Sequence, residues 1–495
     1  MLFKTLTCAA LLVTFATGAN AQNASQVVAA ASKAMGVDNL NSITYTGTAR
    51  NGAFGQSADL GNPMHEYNVT TVPQYVRAIN FGQATEGLVS RASGATQPAA
   101  TPDIPNPPAG NFNQNITAQQ AGNNWGQALN VWTTPWGFLK AAAANNATAR
   151  QQGGQQVVSF SPANFKSPSG QMYTVTGYIN NQNLVTKVET RVEHAVVGDL
   201  LVEFEYSGYQ NMNGVQVPRT IVQKQAGLTT SEITVSSATP NPQNLTELLT
   251  PPPAPARGGG PGGPGGGRAG GPPPAPMPER LADGVFKIGG GYQSLAIDMG
   301  DHILVAESGQ SEARGLATMA AAKAAIPGKP IRFVTTSHGH FDHASGLAAA
   351  VAEGATILTH RNNEQALERF LSGPRTLVGD SLSKVANRRT DVVTGVGDRD
   401  VRRGTNGRVV ELIHVPNVHT NGNLAVYLPA EKILHTGDIT VNNPNPAQVG
   451  VVRSAVRRFN ELRLDYQTWI PVHAPNPDRA MTKADVDAVT TTGTN

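Results

Sequence analysis

The chain has 495 residues, of which 39% are hydrophobic and only 14% are charged. Its length is enough for two or more domains, each with a core of its own. The formal net charge is +3 and the basic residues are scattered. This argues against a partnership with nucleic acid, for which a clustered basic face is expected. So low a charged fraction is more typical of a secreted or periplasmic bacterial protein than of a cytosolic one.

The first 21 residues predict a secretory signal peptide. Lys4 precedes an apolar run over residues 6–15, and the small-residue sequence Ala-Asn-Ala at residues 19–21 predicts cleavage before Gln22. The run is too short to span a bilayer, and no later segment approaches the roughly 18 apolar residues that spanning requires. We therefore expect a periplasmic or secreted protein with no integral membrane segment after cleavage. Cys8, the one cysteine of the chain, lies inside this signal, so a metal in the mature protein would have only nitrogen and oxygen ligands.

A Pro/Gly-rich segment divides the mature chain. Residues 251–278 contain 11 prolines and 10 glycines, a composition that cannot bury a core and predicts a linker. It separates an N-terminal domain, residues 22–250, from a C-terminal domain, residues 279–495. Such a linker either allows the two domains to move independently or tethers a separate binding module.

The N-terminal domain is predicted to be β-rich, and ligand binding is a candidate role for it. Apolar and charged residues alternate over residues 188–194 and 200–206, which indicates strands with one buried and one wet face. A Trp-bearing stretch, residues 125–144, is predicted to be helical. We expect a curved antiparallel sheet with a helical insert, faintly similar to the half-barrel of periplasmic lipoprotein carriers. Further strands are predicted at residues 42–49, 66–71, 75–80, 172–179, 215–224 and 232–237.

The C-terminal domain alternates strand and helix patterns, which is typical of an α/β fold. Strands are predicted at residues 285–288, 294–298, 303–306, 331–336, 356–359, 409–415, 424–428, 432–435 and 469–472. Helices are predicted at residues 312–325, 344–352, 363–371 and 453–464.

The histidines point to a metal site in this domain. Nine of the eleven follow residue 300, and the sequence HGHFDH at residues 338–343 comes directly after a buried strand. Four ligand-type side chains within six residues crowd a single divalent ion, whereas two ions about 3.5–4 Å apart can share them. These four side chains are His338, His340, Asp342 and His343.

This pattern resembles the signature of the metallo-β-lactamase superfamily, His-x-His-x-Asp-His at the end of a strand. The superfamily has three more ligands downstream, each after a strand, and this chain has a match for each: His419 in NVHT, Asp438 in TGD and His473 in IPVH. The resemblance covers about residues 281–480 and implies an αββα sandwich.

The resemblance also implies how the ligands are divided. The residues assigned to the first ion are His338, His340 and His419. The residues assigned to the second ion are Asp342, His343 and His473, with Asp438 bridging both. Zinc is the expected metal, with iron and manganese as alternatives that accept the same ligand types. Two such ions make hydroxide available at neutral pH by lowering the pKa of a bound water to about 7. Asp342 is the expected catalytic residue, which holds this nucleophile and passes a proton to the leaving group.

Departures from the pattern of true β-lactamases favour a different substrate. Those enzymes usually have Cys or Ser where this chain has Asp438, and in many a Lys occupies the position of Val441. Val472 and Ala474 flank the last histidine, where many relatives have Gly on both sides. We therefore expect an exported hydrolase of a small ester, thioester or lactone.

Two alternatives stay open at this stage. The first is a β-lactamase. The second is not an enzyme: a periplasmic carrier in which the N-terminal domain holds an apolar ligand and the metal domain is accessory. The presence of all seven expected ligand residues argues against a degenerate metal domain. The sequence leaves the oligomeric state open.

Overall fold

The structure is a computed structural model that describes residues 17–82, 85–91, 115–120, 125–250, 276–440 and 446–491. The predicted linker lies outside these residues up to position 275. In the N-terminal half the helices are α1 (Thr17–Met35), α2 (Trp125–Trp132), α3 (Pro135–Ala144) and α4 (Leu245–Leu249). The strands of this half are β1 (Ser42–Asn51), β2 (Thr70–Asn80), β3 (Thr85–Arg91), β4 (Asn115–Gln120), β5 (Thr148–Gln152), β6 (Gln155–Phe160), β7 (Val175–Ile179), β8 (Val185–His194), β9 (Gly198–Ser207), β10 (Gln210–Met212), β11 (Val215–Val217), β12 (Thr220–Gln225) and β13 (Leu228–Pro240).

The C-terminal half follows the predicted alternation. Its strands are β14 (Pro278–Ala282), β15 (Val285–Ile288), β16 (Ser294–Asp298), β17 (Ile303–Ala306), β18 (Ile331–Thr335), β19 (Thr356–His360), β20 (Val393–Val396), β21 (Arg399–Arg403), β22 (Val409–His414), β23 (Leu424–Leu428), β24 (Ile433–His435), β25 (Thr468–Ile470) and β26 (Met481–Thr482). Its helices are α5 (Glu312–Ala325), α6 (Phe341–Ala344), α7 (Leu347–Ala352), α8 (Arg361–Ser372), α9 (Pro446–Glu461) and α10 (Lys483–Thr491), with a 3₁₀ turn at Leu382–Lys384.

The described N-terminal residues form one long antiparallel sheet. Eleven of their strands pair in the order β4-β3-β2-β1-β13-β12-β9-β8-β7-β6-β5, and β10 and β11 form a separate hairpin. Helices α1 and α3 pack on this sheet, and the side chains of Trp136 and Phe138 on α3 are fully buried. The predicted β-rich sheet and helical insert are therefore present.

Three sequence predictions for the N-terminal half differ from the structure for a local reason, and the strand predicted over 172–179 begins only at Val175. Residues 66–69 form turns, so β2 begins only at Thr70. The strand predicted over 215–224 is split between β11 and β12, because Pro218 has no N–H to donate. The helix predicted over 125–144 is also split, because Thr134 caps a new helix through its hydroxyl, which accepts from Gly137 N at 3.1 Å, and Pro135 occupies the first helical position.

The C-terminal half contains two sheets. In the described residues the first has the order β14-β15-β16-β17-β18-β19-β20, with parallel pairing from β17 to β20, and the second has the order β21-β22-β23-β24-β25-β26. One apolar cluster contains side chains of both sheets, among them Leu304, Leu358, Leu412 and Val426. The opposite face of the first sheet packs on α5, α7 and α8, and that of the second on α9 and α10. The carboxyl ends of β18, β22, β24 and β25 each lead into a predicted ligand.

The two halves of the chain pack against each other. Val197 and Leu200 of the N-terminal half belong to the same buried cluster as Leu367 and Phe370 of α8. The guanidinium of Arg375, itself buried, donates hydrogen bonds to the carbonyls of residues 195 and 196 at 2.6 and 3.0 Å. The N-terminal sheet is thus packed directly on the C-terminal half. No helix in the described ranges is long and apolar enough to cross a membrane.

Candidate metal centre

The first four predicted ligands lie on one tight turn after β18. His338 follows the strand, His340 is the residue before α6, and Asp342 and His343 lie within that helix. The helix predicted over 344–352 is interrupted, because the chain first forms the single turn of α6 and then restarts as α7. This extra turn points the ligand side chains inward rather than along one helical face.

The later ligands approach the same turn from the second sheet. His419, Asp438 and His473 follow β22, β24 and β25, respectively. Gly437 has φ +65°, and a Cβ there would lie 2.5 Å from the side chain of Ser337. Glycine is therefore needed for the loop that carries Asp438 to approach the turn that carries His338.

The first predicted ligand group, His338, His340 and His419, is assembled. The ligand atoms of its three side chains lie within 4.8 Å of one another. His338 Nε2 and His419 Nε2 are 3.2 Å apart, and the three rings meet one another at 69 to 72°. His338 Nδ1 faces Ser337 Oγ at 3.0 Å, which leaves Nε2 as its inward atom.

The second predicted group, Asp342, His343, Asp438 and His473, is assembled beside the first, also within 4.8 Å. Asp438 Oδ1 lies 3.0 Å from His343 Nε2 and 3.1 Å from His473 Nε2. Asp342 Oδ2 lies 3.4 Å from His473 Nε2 and 3.6 Å from His343 Nε2. All seven predicted residues are thus brought to one place.

Asp438 lies between the two groups. Its Oδ1 faces the two histidines of the second group, while its Oδ2 is 3.2 Å from His419 Nε2 of the first group. The two oxygens of one carboxylate therefore point to two different sets of ligand atoms.

The pKa values of the buried histidines are shifted down in the first group and up in the second. Burial, together with the nearby histidines, holds the pKa of His338 well below its usual value and lowers the pKa of His340 to about 3. Burial also lowers the pKa of His343 and His473, but carboxylates outweigh it, so that the pKa of His343 is raised well above its usual value and that of His473 to about 9.

The pKa values of the two carboxylates in the second group are lowered, as expected beside protonated histidines. Burial raises the pKa of Asp438 and Asp342, yet contacts with His343 and His473 keep both below the usual range. In the first group, His338 and His340 are thus neutral imidazoles, which can ligate directly. In the second group the two histidines carry protons that a cation must displace.

The sequence analysis missed Glu307, a buried partner of the ligand turn. It follows β17, has φ +65°, and its Oε1 accepts a hydrogen bond from Ser337 N at 2.5 Å. Its Oε2 lies 3.5 Å from His343 Nδ1 and accepts from the Tyr292 hydroxyl at 3.2 Å. A buried carboxylate on the outer nitrogen orients the ring so that Nε2 faces inward. The sequence contained one signal for this role: Glu307 is an acidic residue directly after β17, the strand that pairs in parallel with β18.

The donor set fits divalent metal ions. His340 Nδ1 is buried, and among the described residues it has no hydrogen-bond partner, although such atoms are rarely left unpaired in proteins. Imidazole nitrogens and carboxylate oxygens, arranged as two adjoining groups, are ligands that zinc, iron and manganese accept.

A third group of ligand-type residues lies outside this centre. His360 and His414 stack with ring centroids 3.6 Å apart and an interplanar angle of 7°. Asp398 Oδ1 is 3.8 Å from His360 Nε2 and 3.9 Å from His414 Nδ1, and it also accepts from Arg361 Nη2 at 2.8 Å.

The family model of the metallo-beta-lactamase superfamily matches residues 294–470, a range that includes every predicted ligand except His473. A curated relative, the 2,4-dinitroanisole O-demethylase subunit alpha of Nocardioides sp. (strain JS1661), is 24% identical over 215 residues, which are 42% of this chain and 58% of the relative. The chain thus spans little more than half the length of that relative.

Solved metallo-beta-lactamases are similar to part of the chain. The enzyme from Pontibacter korlensis is 16% identical with a TM-score of 0.34, covering 43% of this chain and 97% of its own. The enzyme from Hirschia baltica is 20% identical with a TM-score of 0.32, covering 43% and 96%, respectively. On the strength of the family match, the C-terminal region at residues 294–470 belongs to the metallo-beta-lactamase superfamily.

Proposed function

We propose that this chain is an exported di-metal hydrolase that cleaves an ester, a thioester or a lactone. The observation that carries the proposal is the position of Asp438. One of its oxygens faces His343 and His473, and the other faces His419, so one carboxylate can be shared by two ions. A shared carboxylate between adjoining ligand groups is typical of two-metal hydrolytic sites.

The residues that would hold the ions are those of the two assembled groups. His338, His340 and His419 would hold one ion, and Asp342, His343 and His473 the other, with Asp438 between them. Zinc is the metal that we propose. When bound, such ions supply a water of lowered pKa and polarise the scissile carbonyl.

The chain's own residues position and move the proton. Asp342 keeps an ionised carboxylate at the centre, because contacts with His473 and His343 overcome the effect of its burial. We assign to this carboxylate the orientation of the attacking water and the transfer of its proton to the leaving group. His419 and His473 are partly exposed, whereas His338 and His343 are fully buried, so the substrate approaches from the side of the exposed pair.

The preference for esters, thioesters or lactones over β-lactams depends on the sequence around the ligands. Asp438 occupies the position at which true β-lactamases usually have Cys or Ser. Val441, which stands where many of them have a drug-binding Lys, lies outside the described residues. Val472 and Ala474 flank the last histidine with side chains where many relatives have none.

The proposal also covers the layer architecture of the C-terminal half and the export of the chain. We propose that the two C-terminal sheets with their outer helices form the four-layer αββα sandwich, and that the chain is exported by its N-terminal signal. Helix α1 runs through the predicted cleavage position at Gln22, and residues 1–16 lie outside the described part of the chain.

The experiment combines metal analysis with a substrate panel. Purified chain beginning at Gln22 is analysed for bound metal, and initial rates are measured on a thioester, a lactone, an aryl ester, a cephalosporin and 2,4-dinitroanisole, the compound in the relative's name. We expect about two ions per chain and the highest rate on one of the first three substrates. Asp342→Ala should abolish turnover, whereas Asp283→Ala, at an exposed position, should not.

Each other outcome has a definite meaning. A highest rate on the cephalosporin would make the protein a β-lactamase. A highest rate on 2,4-dinitroanisole would mean that the chain acts on the compound in the relative's name rather than on an ester, a thioester or a lactone. Metal-free protein without turnover on any substrate would contradict the hydrolase and favour a carrier.

A further inference from the structure

The loop between β1 and β2 in the N-terminal half lies directly on the metal-ligand turn. We call residues 53–60 of this loop the covering segment. Phe341 N donates to the carbonyl of Gly55 at 2.9 Å, and Asn421 N donates to the carbonyl of Ala58 at 2.8 Å. The segment is therefore hydrogen-bonded both to α6, which carries Asp342 and His343, and to the loop that carries His419.

Glycines on both sides make this approach close. Gly55 has φ +72°, and a Cβ there would lie 2.0 Å from the ring of Phe341. A Cβ at Gly339, between the first two ligands, would lie 2.3 Å from Leu60 of the covering segment. A side chain at either glycine would have to displace Phe341 or Leu60, so each segment lies in direct contact with a side chain of the other.

The covering segment is also held from within. Asn68 Oδ1 accepts from Ala58 N at 2.7 Å and from Ser57 Oγ at 3.2 Å, and Ser57 Oγ also approaches the carbonyl of Asn62 at 2.8 Å. Ser57 is buried. A loop whose polar groups are hydrogen-bonded internally in this way is preorganised for its contact with the site.

The segment orients a ligand of the first group. His340 Nε2 donates to the carbonyl of Ser57 at 3.0 Å. The proton of a neutral His340 is thereby placed on Nε2, and the unpartnered Nδ1 is the atom left for the metal.

The segment also orients a ligand of the second group. Gln56 Nε2 donates to Asp342 Oδ1 at 2.8 Å, while Asp342 Oδ2 faces His343 and His473. Gln56 thus holds one oxygen of the predicted catalytic carboxylate and leaves the other free to face the metal. The side chain of Gln56 is exposed, so it contributes little to the core.

We propose that the N-terminal half completes the hydrolytic centre through residues 53–60, and that Gln56 is a positioning residue for Asp342. The N-terminal sheet is then a structural part of the catalytic site rather than a separate binding module. The activity part of this inference rests on the proposed function, whereas the metal-binding part does not.

The test uses the full mature chain loaded with zinc. Gln56→Met keeps the side-chain length and removes the amide donor, and Gln74→Met makes the same change at an exposed position on β2. Zinc loss to excess chelator, kcat and KM on the best substrate, and the melting temperature of the zinc-free protein are compared. We expect Gln56→Met to lose zinc about 10–100-fold faster, and its kcat to fall by about tenfold with KM unchanged. The zinc-free melting temperature should match that of Gln74→Met.

Gly55→Ala is the second variant, because its Cβ must displace Phe341 and with it the ligand turn. It should lose zinc faster than Gln56→Met and also melt at a lower temperature without zinc. The inference is overturned if Gln56→Met retains zinc and turnover like Gln74→Met, or if its zinc-free form melts lower and so shows a merely structural role. Absence of turnover in the unmodified chain would refute the proposed function, and zinc retention would still decide this inference.

Discussion

Two clusters in the C-terminal half have nearly the same composition but different geometry. In the group of His338, His340 and His419 the ring planes are inclined at 69 to 72° to one another, and the ligand atoms lie within 4.8 Å of one another. His360 and His414 are also close together and near an aspartate, but their rings are parallel within 7°. A metal ion lies close to the plane of each imidazole that binds it, and two parallel planes do not meet.

The hydrogen-bond and ion-pair partners of His360 and Asp398 also argue against a metal site in this cluster. His360 Nδ1 accepts from Asn362 N at 3.4 Å, so in the neutral ring the proton lies on Nε2, the atom that faces Asp398. Asp398 itself is paired with Arg361 at 2.8 Å. Ligand-type residues in one place are therefore insufficient for a metal site, because ring orientation and outer partners decide whether the donor atoms are available. The following substitutions test this difference.

Substitution of the shared carboxylate should have the largest effect. Asp438→Ala removes the group that contacts His343, His419 and His473, so both ligand groups lose a member. We expect bound metal to fall from about two ions to one or none, and turnover to fall more than about 100-fold, since loss of an outer partner alone costs about 10–100-fold. Asp398→Ala, the corresponding change in the stacked cluster, should leave both unchanged. Elemental analysis and initial rates measure the difference, and two ions retained in Asp438→Ala would contradict the assignment.

Substitution of the outer carboxylate should have an intermediate effect. Glu307→Gln keeps the size of a buried side chain but removes the negative charge that faces His343 Nδ1. We expect zinc affinity or turnover to fall about 10–100-fold. Glu411→Gln, at another buried glutamate of this half, should not change either property. Chelator competition measures affinity, and an unchanged Glu307→Gln would show that His343 needs no outer partner.

The stacked pair should affect stability rather than metal binding. Burial, with His414 and Arg361 nearby, lowers the pKa of His360 to about 4, although Asp398 opposes the shift. An unfolded histidine has a pKa of about 6.5. Between these values the unfolded chain takes up a proton that the folded chain does not, so this contribution to stability is lost as the pH falls through that window.

His360→Gln should therefore flatten the loss of stability on acidification. Urea midpoints at pH 7 and pH 5 measure this, and we expect a smaller drop in the variant than in the unmodified chain. Equal drops would mean that His360 is not held neutral in the folded state.

The smallest expected effect is on metal content in the stacked cluster. His414→Phe keeps a flat ring against His360 and removes both ring nitrogens: Nδ1, which lies 3.9 Å from Asp398 Oδ1, and Nε2, which donates to the carbonyl of Asn421 at 2.9 Å. Bound metal per chain and turnover should equal those of the unmodified protein. Loss of one ion per chain would show that the parallel rings bind metal after all, and the geometric distinction would be wrong.

Local sequence patterns by themselves predicted much of the C-terminal half. The strands Ser294–Asp298 and Leu424–Leu428 and the helix Glu312–Ala325 have the predicted bounds, because apolar runs and end signals such as Ser311 act over a few residues. The four ligands at 338–343 were visible for the same reason, since they share one turn after one strand. The interruption at Pro218 was missed, although its cause, a proline without an N–H, is local. The interruption after α6 was missed because it depends on how a short segment closes against its neighbours.

Tertiary structure decided the rest of the centre. Glu307 reaches the ligand turn because β17 and β18 pair in parallel, and Gln56 meets Asp342 across 286 positions of sequence. No periodicity or motif encodes a contact of that separation, because it depends on how the N-terminal sheet packs on α6 and α8. The sequence alone determined which side chains could bind metal. Only the packed structure decided how they are oriented, and that the N-terminal half lies against them.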